Sequence, residues 1–284
     1  MAVKTGKRAF RPGKLLLFVL MILVTLVYIY PFFWLFISCF KSNAEIFGHS
    51  LALPSSWDWS VFAEAWKGSG QYSYTTFFAN TFIIVVPVVL FTLVSALLIA
   101  YGFARFEFVG KRVFFTLMLS TMMLPATVMM ILRYLMFARM GWIDTYYPLI
   151  VPSVFGGGAF FIYLLLQFIR GIPRELDEAA KIDGCSSFQI LWRVIFPLTI
   201  PAMFSAGVFQ FMWTWNDFFN QMLYINSVSK YTIALGLKMS LDITTNVAWG
   251  KLFSMRLASI IPPFVLFFIA QKYLVEGIAT TGLK

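Results

Sequence analysis

The sequence predicts an all-α, polytopic membrane protein. It has six transmembrane helices, both termini on the cytosolic side and a short cytosolic helix between the fourth and fifth spans. Three observations carry this reading. Of the 284 residues, 60% are hydrophobic and 12% charged, against about 25% charged in a soluble domain. The mean hydropathy is +0.82, with 33 Phe, 14 Met and 9 Trp, more apolar surface than a soluble core of this length has to hide. Six stretches are long enough to cross a bilayer at 1.5 Å rise per residue, and the basic residues fall unevenly between them.

The first span is expected over about 15–40, a stretch without charge. Lys4, Lys7, Arg8, Arg11 and Lys14 precede it with no acid among them. That resembles a signal peptide, but the apolar run is too long for one and lacks a small-residue cleavage site, so it reads as an uncleaved span. The second span is expected over 77–104, also uncharged. The third, 113–138, is apolar to Leu132 and runs on through Arg133. The fourth, 146–169, has no charge, and the fifth, 194–221, has none before Asp217. The sixth, 249–274, carries Lys251 and Arg256 near one end, where they can snorkel to the interface. Pro31, Pro87, Pro125, Pro262 and Pro263 fall inside spans and read as kinks, because neighbouring helices can satisfy the freed carbonyls.

Orientation follows from the basic residues. With both termini inside, the cytosol receives the five N-terminal cations, Arg105, Lys111, Arg112, Arg170, Arg174, Lys181, Arg193, Lys272 and Lys284. That majority of the 22 basic residues satisfies the positive-inside rule. The chain then reads as one transmembrane domain, residues 1–284, with cytosolic tails over 1–14 and 275–284 and a cytosolic loop over 170–193. The net charge of +10 is explained by cytosolic loops, and no nucleic-acid partner is expected.

Cys39 and Cys185 form no CxxC pattern and read as free thiols without a disulfide or metal role. His49 has no companion ligand and reads as a solvated side chain. Gly156, Gly157 and Gly158 follow no strand, which excludes a phosphate loop; close helix packing or a flexible lead-in to the fourth span is expected instead. There is no G-x-x-x-x-G-K-[ST].

The loop over 170–193 holds the densest polar signal. Glu175, Asp177, Glu178 and Asp183, four of only 12 acids, lie within ten positions, ELDEAAKIDG. Pro173 suits a first helical position, and the acids that follow complement the helix dipole. Asp177 and Lys181 are spaced i, i+4 and read as a pair supporting the helix. Gly184 is placed to take φ > 0 and stop it. Ser186 to Gln189 has the capping-box pattern that starts a second helix, which runs through Pro197 into the fifth span. Leu176, Ala179 and Ala180 make a low face among acids. Anionic lipid would repel that face, so a protein docking surface is expected, with carboxylates available to a partner's Arg.

The order Glu178-Ala179-Ala180, Gly184, then Val194 to Pro197 resembles the EAA signature of ABC-importer permeases, E-A-A-x3-G-x9-I-x-L-P, with Val194 and Phe196 as mild departures. Tyr30-Pro31, Asn80-Thr81, the run from Ala100 to Arg105, Trp215-Asn216-Asp217 and the tail after Val275 resemble the smaller membrane subunit of the maltose-type carbohydrate importers. The resemblance covers nearly the whole chain. It implies a non-catalytic permease subunit in a bacterial inner membrane, surrounded by lipid and taking up a sugar, with an oligosaccharide favoured. It implies as partners a second, homologous permease, two cytosolic ATPases and an extracytoplasmic sugar-binding protein. ATP and Mg would be bound by the ATPases and no cofactor by this chain. By the same resemblance, the helix with Glu175, Asp177, Glu178, Ala179, Ala180, Asp183 and Gly184, followed by Pro197, is the coupling element seated on an ATPase, and Thr280, Thr281 and Gly282 reach between the ATPases. The stretch around 235–245 resembles the loop that such subunits push into the binding protein; an ordinary exposed loop is the plainer alternative.

Polar groups inside a membrane are costly and so are candidates for a transport path. The fifth span offers Gln210, Trp213, Asn216, Asp217, Asn220 and Gln221, with Trp215 among them. Amides, a carboxylate and aromatic faces suit a sugar. The plainer alternatives are tryptophans of an interfacial belt and polar side chains that cap or bridge helices. A secondary, ion-coupled transporter is the competing function, but it would leave the EAA loop without a task. A single His and no GxSxG or HExxH argue against an intramembrane hydrolase.

Overall fold

The computed structural model describes residues 12–48, 52–68, 71–242 and 247–281. Among the described residues there are fourteen α-helices and no strand. In chain order they are α1 (Pro12–Ser38), α2 (Asn43–Gly48), α3 (Ser60–Trp66), α4 (Tyr74–Arg105), α5 (Lys111–Met122), α6 (Ala126–Arg139), α7 (Tyr147–Val154), α8 (Ala159–Arg170), α9 (Glu175–Ile182), α10 (Ser187–Ile190), α11 (Phe196–Trp215), α12 (Phe219–Tyr224), α13 (Ile233–Asp242) and α14 (Trp249–Thr281). Five stretches among the described residues are long and apolar enough to cross a membrane: Gly13–Ser38, Tyr74–Arg105, Tyr147–Arg170, Ser187–Trp215 and Trp249–Lys272. The protein is an all-helical, multi-pass membrane protein, with a sixth crossing if α5 and α6 count as one bent span.

The expected third span over 113–138 is therefore two helices that meet at 104°. The cause lies at Pro125. Proline has no N–H to continue the ladder and forces the residue before it out of the helical region. The amides of Met123 and Leu124 turn back to Ser120 and Thr121, and α6 restarts beyond the proline. The fourth span is interrupted too, between α7 and α8, where Gly156, Gly157 and Gly158 all have positive φ. The glycines lie inside this span and not at its lead-in. A Cβ on Gly157 would meet the Thr92 side chain of α4 at 2.4–2.8 Å. The close-packing expectation is the one that holds.

The chain forms two compact units. In one (Met1–Ala65 with Thr244–Ala258), α1 is exposed along its apolar length up to Phe33, as a lipid-facing helix is. Its end packs Phe40 against Trp57 and Trp59, with ring centroids 4.9 Å from each. Ser42 and Glu45 form a capping box on α2: the Glu45 carboxylate accepts from the Ser42 amide (2.8 Å) and also from the Ser55 amide (2.9 Å). These bonds, the Ser42 amide first, pull the Glu45 pKa down to about 2. His49 lies outside the described residues.

In the other unit (Trp66–Ile243 with Ser259–Lys284), α4 is the central helix, packed against α7, α8, α11 and α13. Ala96, Ala100 and Ala104, four residues apart, are all buried on it. Facing them are Leu165, Leu166 and Ile169 of α8 and Ala202 and Ala206 of α11. Lipid is as apolar as these side chains, so exclusion from water does not hold such helices together in a bilayer; close packing of small residues does. Outside the core, Asp144 ties the turn after α6 to the segment after α12. Its carboxylate accepts from the Asn226 and Ser227 amides (3.0 and 2.8 Å) and the Ser227 hydroxyl (2.6 Å), and pairs with Lys230 (2.9 Å). The Ser227 hydroxyl bond is the leading cause that holds its carboxyl well below the usual carboxylate range.

Gly157→Ala is expected to destabilise the protein by about 2 kcal/mol or more, since it adds both a clash and a side chain at φ > 0. Thr92→Ala in the same chain should recover the steric part only. Thermal unfolding in detergent reads both effects.

Candidate functional site

The loop between α8 and α11 is built as a capped helical hairpin. Helix α9 starts two residues after Pro173, so the proline precedes the helix and does not occupy its first position. At the other end, Gly184 has φ +80°. The Cys185 amide donates to Ala180 O (2.9 Å) and the Gly184 amide to Lys181 O (3.0 Å). That pair of bonds is a Schellman stop. Ser186 and Gln189 then form the expected reciprocal capping box, with bonds of 2.8 and 3.3 Å. A π-turn over Leu191–Ile195, with the Phe196 amide donating to Leu191 O, joins α10 to α11 just before Pro197.

The orientation of α9 corrects the sequence reading at two residues. Asp177 does not serve as a surface partner of Lys181. It is buried, and its Oδ2 lies 2.6 Å from Nε of Arg105, the last residue of α4, with side chains 10% and 6% exposed. Ala180 is also turned inward. Glu175, Leu176, Glu178, Ala179 and Asp183 face outward, joined by Ile182 (88% exposed) and Phe188 (65%), neither of which the sequence reading had put on this surface. The outward face is more apolar than expected, with acids on its rim.

Three further bonds fix the loop to α4. Arg105 Nη2 donates to Ile172 O (2.9 Å), Arg174 Nη2 to Ala104 O (3.3 Å) and the Tyr101 hydroxyl to Ser187 O (3.1 Å). The α4 end thus grips the start of the hairpin, α9 and the start of α10. Breaking a buried ion pair from one side costs on the order of 3–5 kcal/mol, because it strands a buried charge.

The second candidate region lies beyond the end of α11. This helix stops at Trp215, short of the expected 221, and the chain turns into α12. Gln210, Asp217, Asn220 and Gln221 line a cavity of about 620 Å³, with Thr214 and Arg133. Trp213 and Asn216 lie on an adjoining groove of about 470 Å³ that shares Gln210, Asp217 and Asn220. The six expected residues therefore gather around two spaces that share part of their lining. Several also have structural bonds. Asn216 Nδ2 donates to Met212 O (2.8 Å), and Asn220 Nδ2 donates to both Asp217 oxygens (3.1 and 2.9 Å). Gln210 donates to the Thr214 hydroxyl (2.8 Å), and Gln221 accepts from the Thr232 hydroxyl. In the sequence Arg133 reads only as part of the third expected span. A cation inside an apolar span is itself a signal of function.

Trp215 has a different task. Pro263 has no N–H, which frees the carbonyl of Ser259 four residues back in α14. The buried Trp215 indole N–H donates to that carbonyl at 3.2 Å. Of the stretch around 235–245, residues 243–245 lie outside the described residues, and the part before them is not an ordinary exposed loop. Up to Asp242 it is α13, with Ile233 and Leu235 buried, and a Cβ on Gly236 would overlap the Phe77 ring. Asn80 donates to Ser229 O and Tyr231 O (2.8 and 2.9 Å), and the Ile233 amide donates to the Thr81 hydroxyl (3.0 Å). Thr280 and Thr281 are in the last turn of α14, and Gly282 lies outside the described residues.

Residues 92–280 match the model of the family described as binding-protein-dependent transport system inner membrane component. The chain is similar to the probable ABC transporter permease protein YurM of Bacillus subtilis (strain 168), at 34% identity over 278 residues, covering 98% of this chain and 91% of that protein. It is 28% identical over 265 residues to the arabinooligosaccharides transport system permease protein AraQ of the same organism, covering 92% of each. In structure it is similar to a chain of a bacterial ABC transporter involved in the import of the acidic polysaccharide alginate. The TM-score is 0.81 at 26% identity, covering 95% of this chain and 99% of that one.

A double-mutant cycle on Arg105→Met and Asp177→Leu tests the buried pair. Each single substitution is expected to cost about 3 kcal/mol or more, and the double substitution less than the sum by at least about 2 kcal/mol. Thermal unfolding in detergent measures the cycle.

Proposed function

This chain belongs to the family of binding-protein-dependent transport inner membrane components, and on that premise we propose that it is a membrane-spanning permease subunit of a bacterial ABC importer for a sugar. The activities named for its relatives, arabinooligosaccharide transport and alginate import, favour an oligosaccharide delivered by an extracytoplasmic binding protein. The subunit works beside a second permease and two cytosolic ATPases, which bind the ATP and Mg and carry out hydrolysis.

The observation that carries the proposal is the split character of α9. One side is held to α4 through Asp177 and Arg105. The other side offers Glu178, Ala179 and Ile182 outward. A helix held this way can pass a displacement of an ATPase to a span without absorbing it in a flexible joint. ATP binding draws the two ATPases together, the docked helices follow, and the spans exchange inward-open for outward-open access. Glu178 pairs with basic residues of the ATPase, and Gly184 keeps the hairpin closed. The α11–α12 region, with Gln210, Trp213, Asn216, Asp217, Asn220 and Gln221, lines the path of the sugar. The stretch around 235–245, which begins in α13 where that helix packs on α4, reaches into the binding protein.

Glu178→Lys combined with Gly184→Pro is expected to leave membrane insertion intact and to reduce sugar uptake by roughly 100-fold or more. The first places like charges at the dock, and the second forbids the positive φ that stops α9. Uptake and binding-protein-stimulated ATP hydrolysis in reconstituted vesicles are the readouts. Wild-type uptake in the double variant would refute the coupling role.

A further inference from the structure

A second charged cavity lies at the other end of α4 from Asn80, and the transport path makes no use of it. It has a volume of about 690 Å³ and is lined by the end of α4, the start of α5, the end of α8 and the turn into α9. Four cations, Arg105, Lys111, Arg170 and Arg174, share it with two carboxylates, Glu107 and Glu175. Two of the cations are already engaged. Arg105 is paired with Asp177, and Lys111 is paired with Glu107 (2.8 Å) and donates to Phe106 O (2.8 Å).

The two remaining guanidiniums differ from these. Arg174 spends one Nη2 donor on Ala104 O, which leaves most of its five N–H donors. Arg170 lies over the Phe115 ring, 5.4 Å from its centroid. A cation–π contact is an attraction to the ring and forms no hydrogen bond to an oxygen acceptor. Both side chains are exposed. Glu107 is drawn below the usual carboxylate range, chiefly by Lys111 and in smaller part by Arg174, so the field of Arg174 reaches across the cavity. The positive-inside pattern puts this end of α4 at the cytosolic leaflet, where anionic headgroups are concentrated.

We propose that this cavity binds the phosphate of an anionic phospholipid headgroup from the cytosolic leaflet, held by Arg170 and Arg174. A phosphodiester offers paired oxygens at the spacing that guanidinium forks recognise. The bound headgroup would brace the turn from Gly171 to Arg174 immediately before α9, and lipid composition would thereby set how firmly that helix is held. The inference uses the predicted orientation and does not depend on the transported sugar.

The test uses the full-length chain in nanodiscs of phosphatidylcholine with increasing phosphatidylglycerol, with native mass spectrometry reading the lipid retained. Wild type is expected to retain phosphatidylglycerol in preference to phosphatidylcholine. Arg170→Gln with Arg174→Gln should weaken that retention by roughly tenfold or more. Arg112→Gln, a nearby exposed cation outside the cavity, should leave it unchanged. Equal retention in wild type and the Arg170/Arg174 variant overturns the site, as does an equal loss with Arg112→Gln. A third arm adds inorganic phosphate; full displacement of phosphatidylglycerol by millimolar phosphate would overturn the lipid as ligand. No ATPase is present in these samples, so a negative result leaves the importer proposal standing.

Discussion

The ion pair between Arg105 and Asp177 is the constraint on which the functional half of this structure depends. It closes a contact between the last residue of a 32-residue helix and the third residue of an eight-residue one. A helix as short as α9 is not stable by propensity alone. Its end comes from the Schellman stop at Gly184; its placement comes from Arg105. With side chains only 6% and 10% exposed, the pair is too buried to rearrange cheaply. Tyr101, Ala104 and Ile172 add bonds around it, so α9 and α4 are held at several points.

The same long helix organises the far side. Asn80 and Thr81 hold the segment that leads into α13, and Asp144 pins the neighbouring turn from the other direction. Between the two ends, Ala96, Ala100 and Ala104 keep α4 close to its neighbours, and Gly157 lets the broken fourth span come against Thr92. One proline shows a freed backbone group paired again, as lipid requires. Pro263 frees a carbonyl and Trp215 takes it. At Pro125 the chain breaks sharply between α5 and α6 instead of continuing as one span.

What was legible in the sequence follows from the range of each interaction. The glycine stop and the capping box at Ser186 depend on residues a few positions apart, so their spacing announced them. Four of the spans were legible as charge-free runs, and the last as an apolar run with Lys251 and Arg256 near one end. Asp177 was misread because its local neighbour Lys181 suggests a pair, while its actual partner lies 72 positions earlier in the chain (177 − 105) and leaves no local trace. Ala180 went with it, since the burial of one side of α9 is decided by that contact. Trp215 was grouped with sugar-facing residues because its partner is a carbonyl exposed by a distant proline. The cavity residues were found by polarity alone, and the turn after Trp215 that assembles them was not visible in composition. Arg133 carried a readable signal, a charge in an expected apolar span.

If α9 is fixed to α4, the two move as one body when the transporter works. Spin labels at Ile182→Cys on α9 and Leu98→Cys on α4, in a background with Cys39 and Cys185 replaced, report this by pulsed electron paramagnetic resonance. The assembled transporter is measured without nucleotide and with a trapped ATP analogue. An unchanged distance between the two labels, together with a changed distance between the α4 helices of the two permeases, is the predicted result. A shift of the α9 label relative to α4 on ATP binding would contradict it and place a flexible joint where the structure has a buried ion pair.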